Sequence, residues 1–260
     1  MKRYLFSYSE AIEKHLRAAS RCILFLDYDG TLVPICKEPS LARLPSDTKK
    51  VLKDLSKNPF FSVGIISGRS LEEIRKMVGV PGLLYAGNHG FEIIFKKRVW
   101  THPELKGFTS SLHKIVRALH SRTRGIKGII IEDKKLTASI HYRNVTDQSP
   151  SSILAVITEI LAPYPDAFTV ARGKKVFEIR PLVAWDKGKA VERLTELLAI
   201  KNKLTRIYIG DDQTDEDAFS VLGKDDMSIR VGLKKGSRAQ YYCRGSSEVV
   251  TFLKMLNDVK

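Results

Sequence analysis

No apolar run in this chain approaches the ~20 residues that a bilayer-spanning helix needs; stretches such as Cys22–Leu26 are among the longest. Cysteine is scarce. Cys22, Cys36 and Cys243 are an odd number without a Cys-x-x-Cys pair, which argues against a zinc site of that type and fits a reducing, cytoplasmic setting. Glu10 and Glu13 interrupt the stretch after Lys2-Arg3, so a secretory signal is not expected. Internal repeats and long linkers are missing as well. Membrane-spanning, collagen-like and low-complexity classes are therefore excluded. Acids are short relative to bases, 29 Asp+Glu against 44 Lys+Arg, a formal charge of +15. The excess is spread as +7 over residues 1–100, +6 over 101–180 and +2 over 181–260. No aromatic residues interleave with a basic stripe, and there is no helix-turn-helix or RNA-binding signature, so a nucleic-acid partner is not expected. A basic solvated surface that attracts anionic substrates accounts for the charge.

What is present is a foldable chain of 260 residues, 43% apolar and 28% charged, long enough for one large domain or two modest ones. Helical spacing of Ile12, Leu16 and Ala19 predicts a helix over 9–20. A short apolar run, 21–27, then ends in acids and Gly30, as a buried parallel strand does where it opens into a site. A helix follows over 46–57 with Ser46 as its N-cap, then a strand Phe61–Ile66 and a helix 70–78. This alternation predicts a doubly wound α/β sheet, mostly parallel and Rossmann-like, whose ligands bind beyond the strands' carboxyl ends.

The pattern changes after residue 90. It reads as a hairpin Gly90–Trp100, a helix His102–Ser121, strands Ile126–Glu132 and Leu136–Arg143, a helix Ser151–Leu161, and strands Phe168–Ala171 and Lys175–Arg180. Two strand pairs, each with a helix, predict an inserted α+β module. From Trp185 the alternation returns: helix 187–199, strand Arg206–Gly210, helix 214–222, strand Ser228–Val231 and a final helix 246–257. The division expected is a core of 1–102 and 182–260, with an insert of 103–181.

Four strand ends carry chemistry. Asp27-Tyr28-Asp29-Gly30-Thr31 places two carboxylates two residues apart, on one side of an extended chain. They repel unless a cation neutralises them or one holds a proton; an Asp/Gly turn after a core strand would read the same way. In Gly210–Asp217, five acids fall within seven residues. Asp211, at the strand end, is the better ligand candidate, while Glu216 and Asp217 are expected to line the first helical turn. Ser67-Gly68-Arg69 offers a hydroxyl and main-chain N–H groups at a helix start, suited to a phosphoryl oxygen, or an ordinary N-cap. Lys187 stands at another helix start, where a cation implies a negative neighbour.

The order Asp-x-Asp-Gly-Thr, Ser, Lys, Gly-Asp-Asp resembles the haloacid-dehalogenase superfamily of phosphotransferases, and more narrowly the trehalose-6-phosphate phosphatases. The resemblance runs through LDYDGTLVPI (26–35), ISGR (66–69), GNHGFEI (87–93), EIRP (178–181), Lys187-Gly188 and GDDQTDEDAF (210–219). It implies Asp27 as nucleophile and Asp29 as general acid/base. It also implies Mg2+ held by Asp27, Asp211 and the main-chain carbonyl of Asp29, with Asp215 beside them. Ser67 and Lys187 match phosphoryl-binding positions, with Thr31 and Gly68 in the same motifs. Arg69, His89, Glu178 and Arg180 match positions near a cap–core cleft where the sugar would lie, although Arg69 and Arg180 also fit structural ion pairs. The insert matches the family's α+β cap.

The expected activity is hydrolysis of trehalose 6-phosphate by a stand-alone, monomeric enzyme whose only partner is a small sugar phosphate. Sucrose phosphate or a glycosyl-phosphoglycerate is the alternative substrate. A non-catalytic sugar-phosphate-binding protein is the alternative class, and the filled catalytic positions speak against it.

Overall fold

The computed structural model describes residues 3–96, 98–200 and 203–259. Lys2, and Lys97 within the expected hairpin, lie outside the described residues. The chain folds as two compact units: Met1–Trp100 with Trp185–Lys260, and Thr101–Ala184.

The first unit contains β1 (Arg3–Tyr4), α1 (Ser9–Arg17), β2 (Arg21–Leu26), α2 (Ser46–Lys57), β3 (Phe61–Ile66), α3 (Leu71–Val78), β4 (Leu84–Gly87), β5 (Glu92–Phe95) and β6 (Arg98–Thr101). The second contains α4 (Phe108–Arg122), β7 (Ile130–Asp133), β8 (Ala138–His141), α5 (Pro150–Leu161), β9 (Phe168–Gly173) and β10 (Val176–Pro181). The chain then returns with α6 (Lys187–Leu198), β11 (Leu204–Gly210), α7 (Asp215–Ser220), β12 (Met227–Val231), β13 (Tyr241–Cys243) and α8 (Ser246–Asn257).

The large sheet has the order β1-β13-β12-β11-β2-β3-β4-β5-β6. Every registered pair from β1 to β4 is parallel, and β5 runs antiparallel to β4. The chain leaves β2 toward β3 and β4, and later returns on its other side as β11. That reversal makes the carboxyl end of β2 a topological switch point, where open α/β sheets leave a crevice. The α/β expectation holds.

β2 is central because its sequence has no polar face to offer. Leu24 and Leu26 pack toward α1, α2, α3 and α8, and Ile23 and Phe25 toward α6 and α7. Burying each such side chain contributes about 1.5–3 kcal/mol, so the strand that carries Asp27 is firmly anchored. Cys22 is a fully buried free thiol in the same layer.

In the second unit a four-stranded antiparallel sheet, β7-β8-β10-β9, packs against α4 and α5. Ala138, Ile140, Phe177 and Ile179 face the helices, and the other face carries Glu132, Ser139 and Glu178 in one row.

The structure corrects several elements. The helix expected over His102–Ser121 is a single 3-10 turn, Pro103–Leu105, followed by α4. The break lies at Gly107, whose φ of 96° is open to glycine and not to a helical residue. Ser46 is the first residue of α2 and not its cap; Pro45 holds the cap position. The short strands β1, β4 and β13 were not expected. β4 is four residues long with Pro81-Gly82 before it and Asn88 after it, so turn signals on both sides masked it. Among the described residues no helix is long and apolar enough to cross a membrane.

Candidate active site

Asp27 follows β2 directly, and its main-chain N–H continues the ladder to Ile209 O at 3.0 Å. Its side chain is buried together with those of Asp211 and Asp215, which follow β11. One carboxylate oxygen from each of the three lies within 4.8 Å of the others. Strand pairing creates this cluster, because the register Leu26–Ile209 brings the two acidic strand ends side by side.

Lys187 enters the cluster from the first position of α6. Asp186 caps that helix by accepting from Lys189 N at 2.9 Å, which fixes where the lysine begins. Its Nζ donates to Asp27 Oδ1 at 2.8 Å and to Asp215 Oδ1 at 2.7 Å, and Lys187 is 2% exposed. Burial alone would lower the ammonium pKa, but the carboxylates of Asp215 and Asp27 outweigh it and hold the pKa well above the ordinary lysine value. Asp215 also accepts from Tyr208 OH at 2.8 Å and from Asp212 N at 2.8 Å. Burial works to raise its pKa, yet Lys187 and these hydrogen bonds bring it below the usual carboxylate value. Asp27 goes the other way. Burial drives its pKa well up, opposed by Lys187 and reinforced by Asp215 and Asp211. Asp215 with Lys187 thus forms the settled ion pair, and Asp27 carries the unfavourable charge.

Gly30 makes room for Asp211. Its φ is 86°, and a Cβ there would lie 2.2 Å from Asp211 Oδ2, so any side chain would displace that carboxylate. Next to it Thr31 is fully buried, and among the described residues its hydroxyl has no hydrogen-bond partner.

Asp29 is turned elsewhere. Arg69 Nε and Nη2 donate to its two oxygens at 2.7 and 2.8 Å, the fork-on-fork geometry of a bidentate pair. The same guanidinium donates to Pro39 O at 2.9 Å and to Glu73. Burial would weaken its charge, but bonds to Asp29 and Glu73 keep its pKa raised. Arg69 therefore ties Asp29 to α3 and to the loop after β2.

Ser67 directly follows β3, is 1% exposed, and accepts from Arg69 N at 3.2 Å. His89 N donates to Ser67 O at 2.9 Å, and a Cβ on Gly68 would lie 2.7 Å from the His89 ring. Asn88 and His89 both have positive φ, 50° and 58°, a strained turn for residues other than glycine.

The first unit therefore brings together Asp27, Lys187, Asp211 and Asp215, with Asp29–Arg69 and Ser67–Gly68–His89 at neighbouring strand ends. The Asp29 carboxylate stays outside the three-acid cluster. Glu178 and Arg180 belong to the second unit, where Arg180 Nε donates to Glu178 Oε2 at 2.6 Å and Lys134 Nζ lies 3.6 Å from Glu178. Glu216 departs from expectation. It does not merely line the first turn of α7, but is buried and pairs with Arg230 at 2.7 Å. Tyr208 is a functional neighbour that its sequence context hides, since it reads as a core strand residue. A phenolic hydroxyl between Ile207 and Ile209, just before an acidic turn, is the available signal.

The trehalose-phosphatase family model matches residues 25–247. Trehalose-phosphate phosphatase B of Arabidopsis thaliana is 35% identical over 253 residues, 92% of this chain and 67% of that protein. A probable trehalose-phosphate phosphatase D from the same plant is 37% identical over 252 residues, covering 92% and 68%. Among solved structures, the C-terminal domain of a C. albicans trehalose-6-phosphate phosphatase superposes with a TM-score of 0.84 at 23% identity, covering 99% of this chain and 98% of that one.

Proposed function

The chain belongs to the trehalose-phosphatase family, and from that premise we propose that it hydrolyses trehalose 6-phosphate to trehalose and phosphate through an aspartyl-phosphate on Asp27. The observation that carries the mechanism is the buried Asp27–Lys187–Asp215 triad beside Asp211, at the switch point of the sheet.

Asp27 attacks phosphorus in line, so one bond to phosphorus forms as the bond to the sugar oxygen breaks. Asp29 gives a proton to that departing oxygen, and as a carboxylate later takes one from the water that releases phosphate and restores Asp27. Both Asp29 oxygens accept from Arg69 here, and a guanidinium cannot accept in return. A protonated carboxyl keeps acceptor capacity on both oxygens, so Asp29 can donate to the departing oxygen while Arg69 holds it, and Arg69 decides where its carboxyl group stands. Lys187 offsets charge on the phosphoryl oxygens, with Ser67 and the main-chain N–H groups around Gly68 and Thr31 as further donors. Sugar specificity is assigned to the second unit, residues 101–184, where Glu178 and Arg180 are the candidate sugar-binding side chains, and His89 is the candidate in the first unit.

Three buried carboxylates against one buried ammonium leave an excess of negative charge, and an all-oxygen donor set suits a hard cation such as Mg2+. Asp27, Asp211 and the main-chain carbonyl of Asp29 would hold it, with Asp215 orienting Lys187 beside them. When bound, such an ion polarises the phosphoryl group and offsets the charge that builds up in transfer.

The test of substrate and cofactor together is phosphate release from a panel of sugar phosphates, with Mg2+ and with EDTA. Trehalose 6-phosphate should be preferred over sucrose phosphate, and EDTA should stop the reaction. Mg2+-dependent preference for another sugar would keep the core chemistry and discard the substrate. A second prediction concerns Arg69. A lysine there cannot make the bidentate pair, so Arg69→Lys should lower kcat roughly 10–100-fold, the range for loss of an orienting partner, with little change in KM. A rise in KM at constant kcat would instead mark Arg69 as a sugar contact.

A further inference from the structure

Arg230 is a buried guanidinium that the mechanism above does not use. It lies on β12, registered against Gly210, the residue before Asp211. Its Nη2 donates to the main-chain carbonyl of Asp211, and its Nη1 donates to the carbonyl of Asp212 at 3.1 Å and to Glu216 Oε1 at 2.7 Å. Glu216 is itself held from the other side, accepting from Arg238 N at 2.7 Å. Arg230 and Glu216 are 6% and 7% exposed.

All of this falls on the backbone that aims one carboxylate. The Asp211 side chain packs against Gly30 with no room for a Cβ between them, so its direction follows from where its own main chain is held. Two consecutive carbonyls bonded by one planar cation leave that turn little freedom, because charge-assisted bonds are short and directional. At the other end of β11, Arg206 meets Asp226 at 2.6 Å and Val221 O at 3.2 Å, and it clamps β11 to β12 without touching the acidic turn.

We propose that Arg230, oriented by Glu216, is a positioning residue for the Asp211 carboxylate and sets how tightly the acidic cluster takes a divalent cation. This deepens the proposed function and rests on its reading of the cluster as the Mg2+ site. Orienting partners of this kind change metal affinity roughly 10–100-fold when removed.

The experiment compares Arg230→Lys, Glu216→Gln and the control Arg206→Lys with the wild-type chain. The first readout is the rise in melting temperature on titrating Mg2+ alone, without substrate. The second is the Mg2+ concentration that gives half-maximal phosphate release, with KM for trehalose 6-phosphate measured at saturating Mg2+. Arg230→Lys should need roughly 10–100-fold more Mg2+ in both assays and regain most of its kcat when Mg2+ is raised. Glu216→Gln should shift in the same direction by less. Arg206→Lys should lose thermal stability at unchanged Mg2+ demand. A folded Arg230→Lys with wild-type Mg2+ demand overturns the proposal, and so does failure of both Arg230→Lys and Glu216→Gln to fold, which would make the pair a stability element. A wild-type chain indifferent to Mg2+ in both assays would instead overturn the reading of the site, and the proposal with it.

Discussion

Asp27→Asn is expected to abolish phosphate release and, in EDTA, to raise the melting temperature. The first effect follows from covalent catalysis. An amide oxygen is a poor nucleophile, and removing a nucleophile costs a factor on the order of 10⁴ or more in kcat. The second follows from burial. Desolvation, with Asp215 and Asp211 close by, pushes the Asp27 carboxyl well above its ordinary value. A carboxyl that holds its proton more tightly folded than unfolded adds stability at low pH. That contribution is lost as pH rises from the ordinary carboxylate range toward the raised value, so at neutral pH the charge weighs against folding. Asparagine removes it while Lys187 keeps its bond to Asp215. Each ~1 kcal/mol gained should appear as roughly 2–4 °C in a chain of this size. The same variant should lose part of the stabilisation that Mg2+ gives the wild type. Appreciable turnover in Asp27→Asn would sink the nucleophile assignment, and a fall in melting temperature would sink the argument from buried charge.

Lys187→Met should damage both activity and fold. The side chains are similar in length, so the loss is mainly electrostatic. Lys187 is the ammonium bonded to Asp27 and Asp215, and Asp215, fully buried, would be left with Tyr208 and Asp212 N alone. Removing one partner of a buried pair costs about 3–5 kcal/mol, which corresponds to a drop of roughly 6–20 °C. Loss of a preorganised donor to the phosphoryl oxygens should lower kcat by about 10²–10³. Added Mg2+ should restore more stability to this variant than to the wild type, because a divalent cation offsets the exposed repulsion, yet kcat should stay low. A melting temperature near wild type with kcat within tenfold would show that the carboxylates do not depend on Lys187.

Much of this site is legible in the sequence because strand ends are. An apolar run that stops at Asp27, and another that stops at Asp211, must each deliver acids to the edge of a sheet. The β/α alternation that surrounds them then puts those edges on one side. Lys187 is legible for a related reason, since a cation at a helix start needs an anion nearby. Arg69 shows the limit. The resemblance leaves it open between a sugar contact and a structural ion pair, and its fork spans Asp29, Glu73 and Pro39. Those partners come from three separate segments, and no periodicity relates them. Short strands fail for another reason: β4 and β13 have four and three residues, too few for a pattern to rise above the turns beside them.

By itself, then, the sequence determined that Asp27, Ser67 and Asp211 arrive at strand ends and Lys187 at a helix start. Local propensity and burial suffice for that. Only the tertiary structure decided who meets whom. Register sets Leu26 beside Ile209 and so Asp27 beside Asp211. The approach of α6 gives Lys187 to Asp27 and Asp215 together, and β12 places Arg230 behind the acidic turn. These are pairings across 160, 28 and 14 residues of chain. Charge at such distances is matched only once packing has removed the water between the partners.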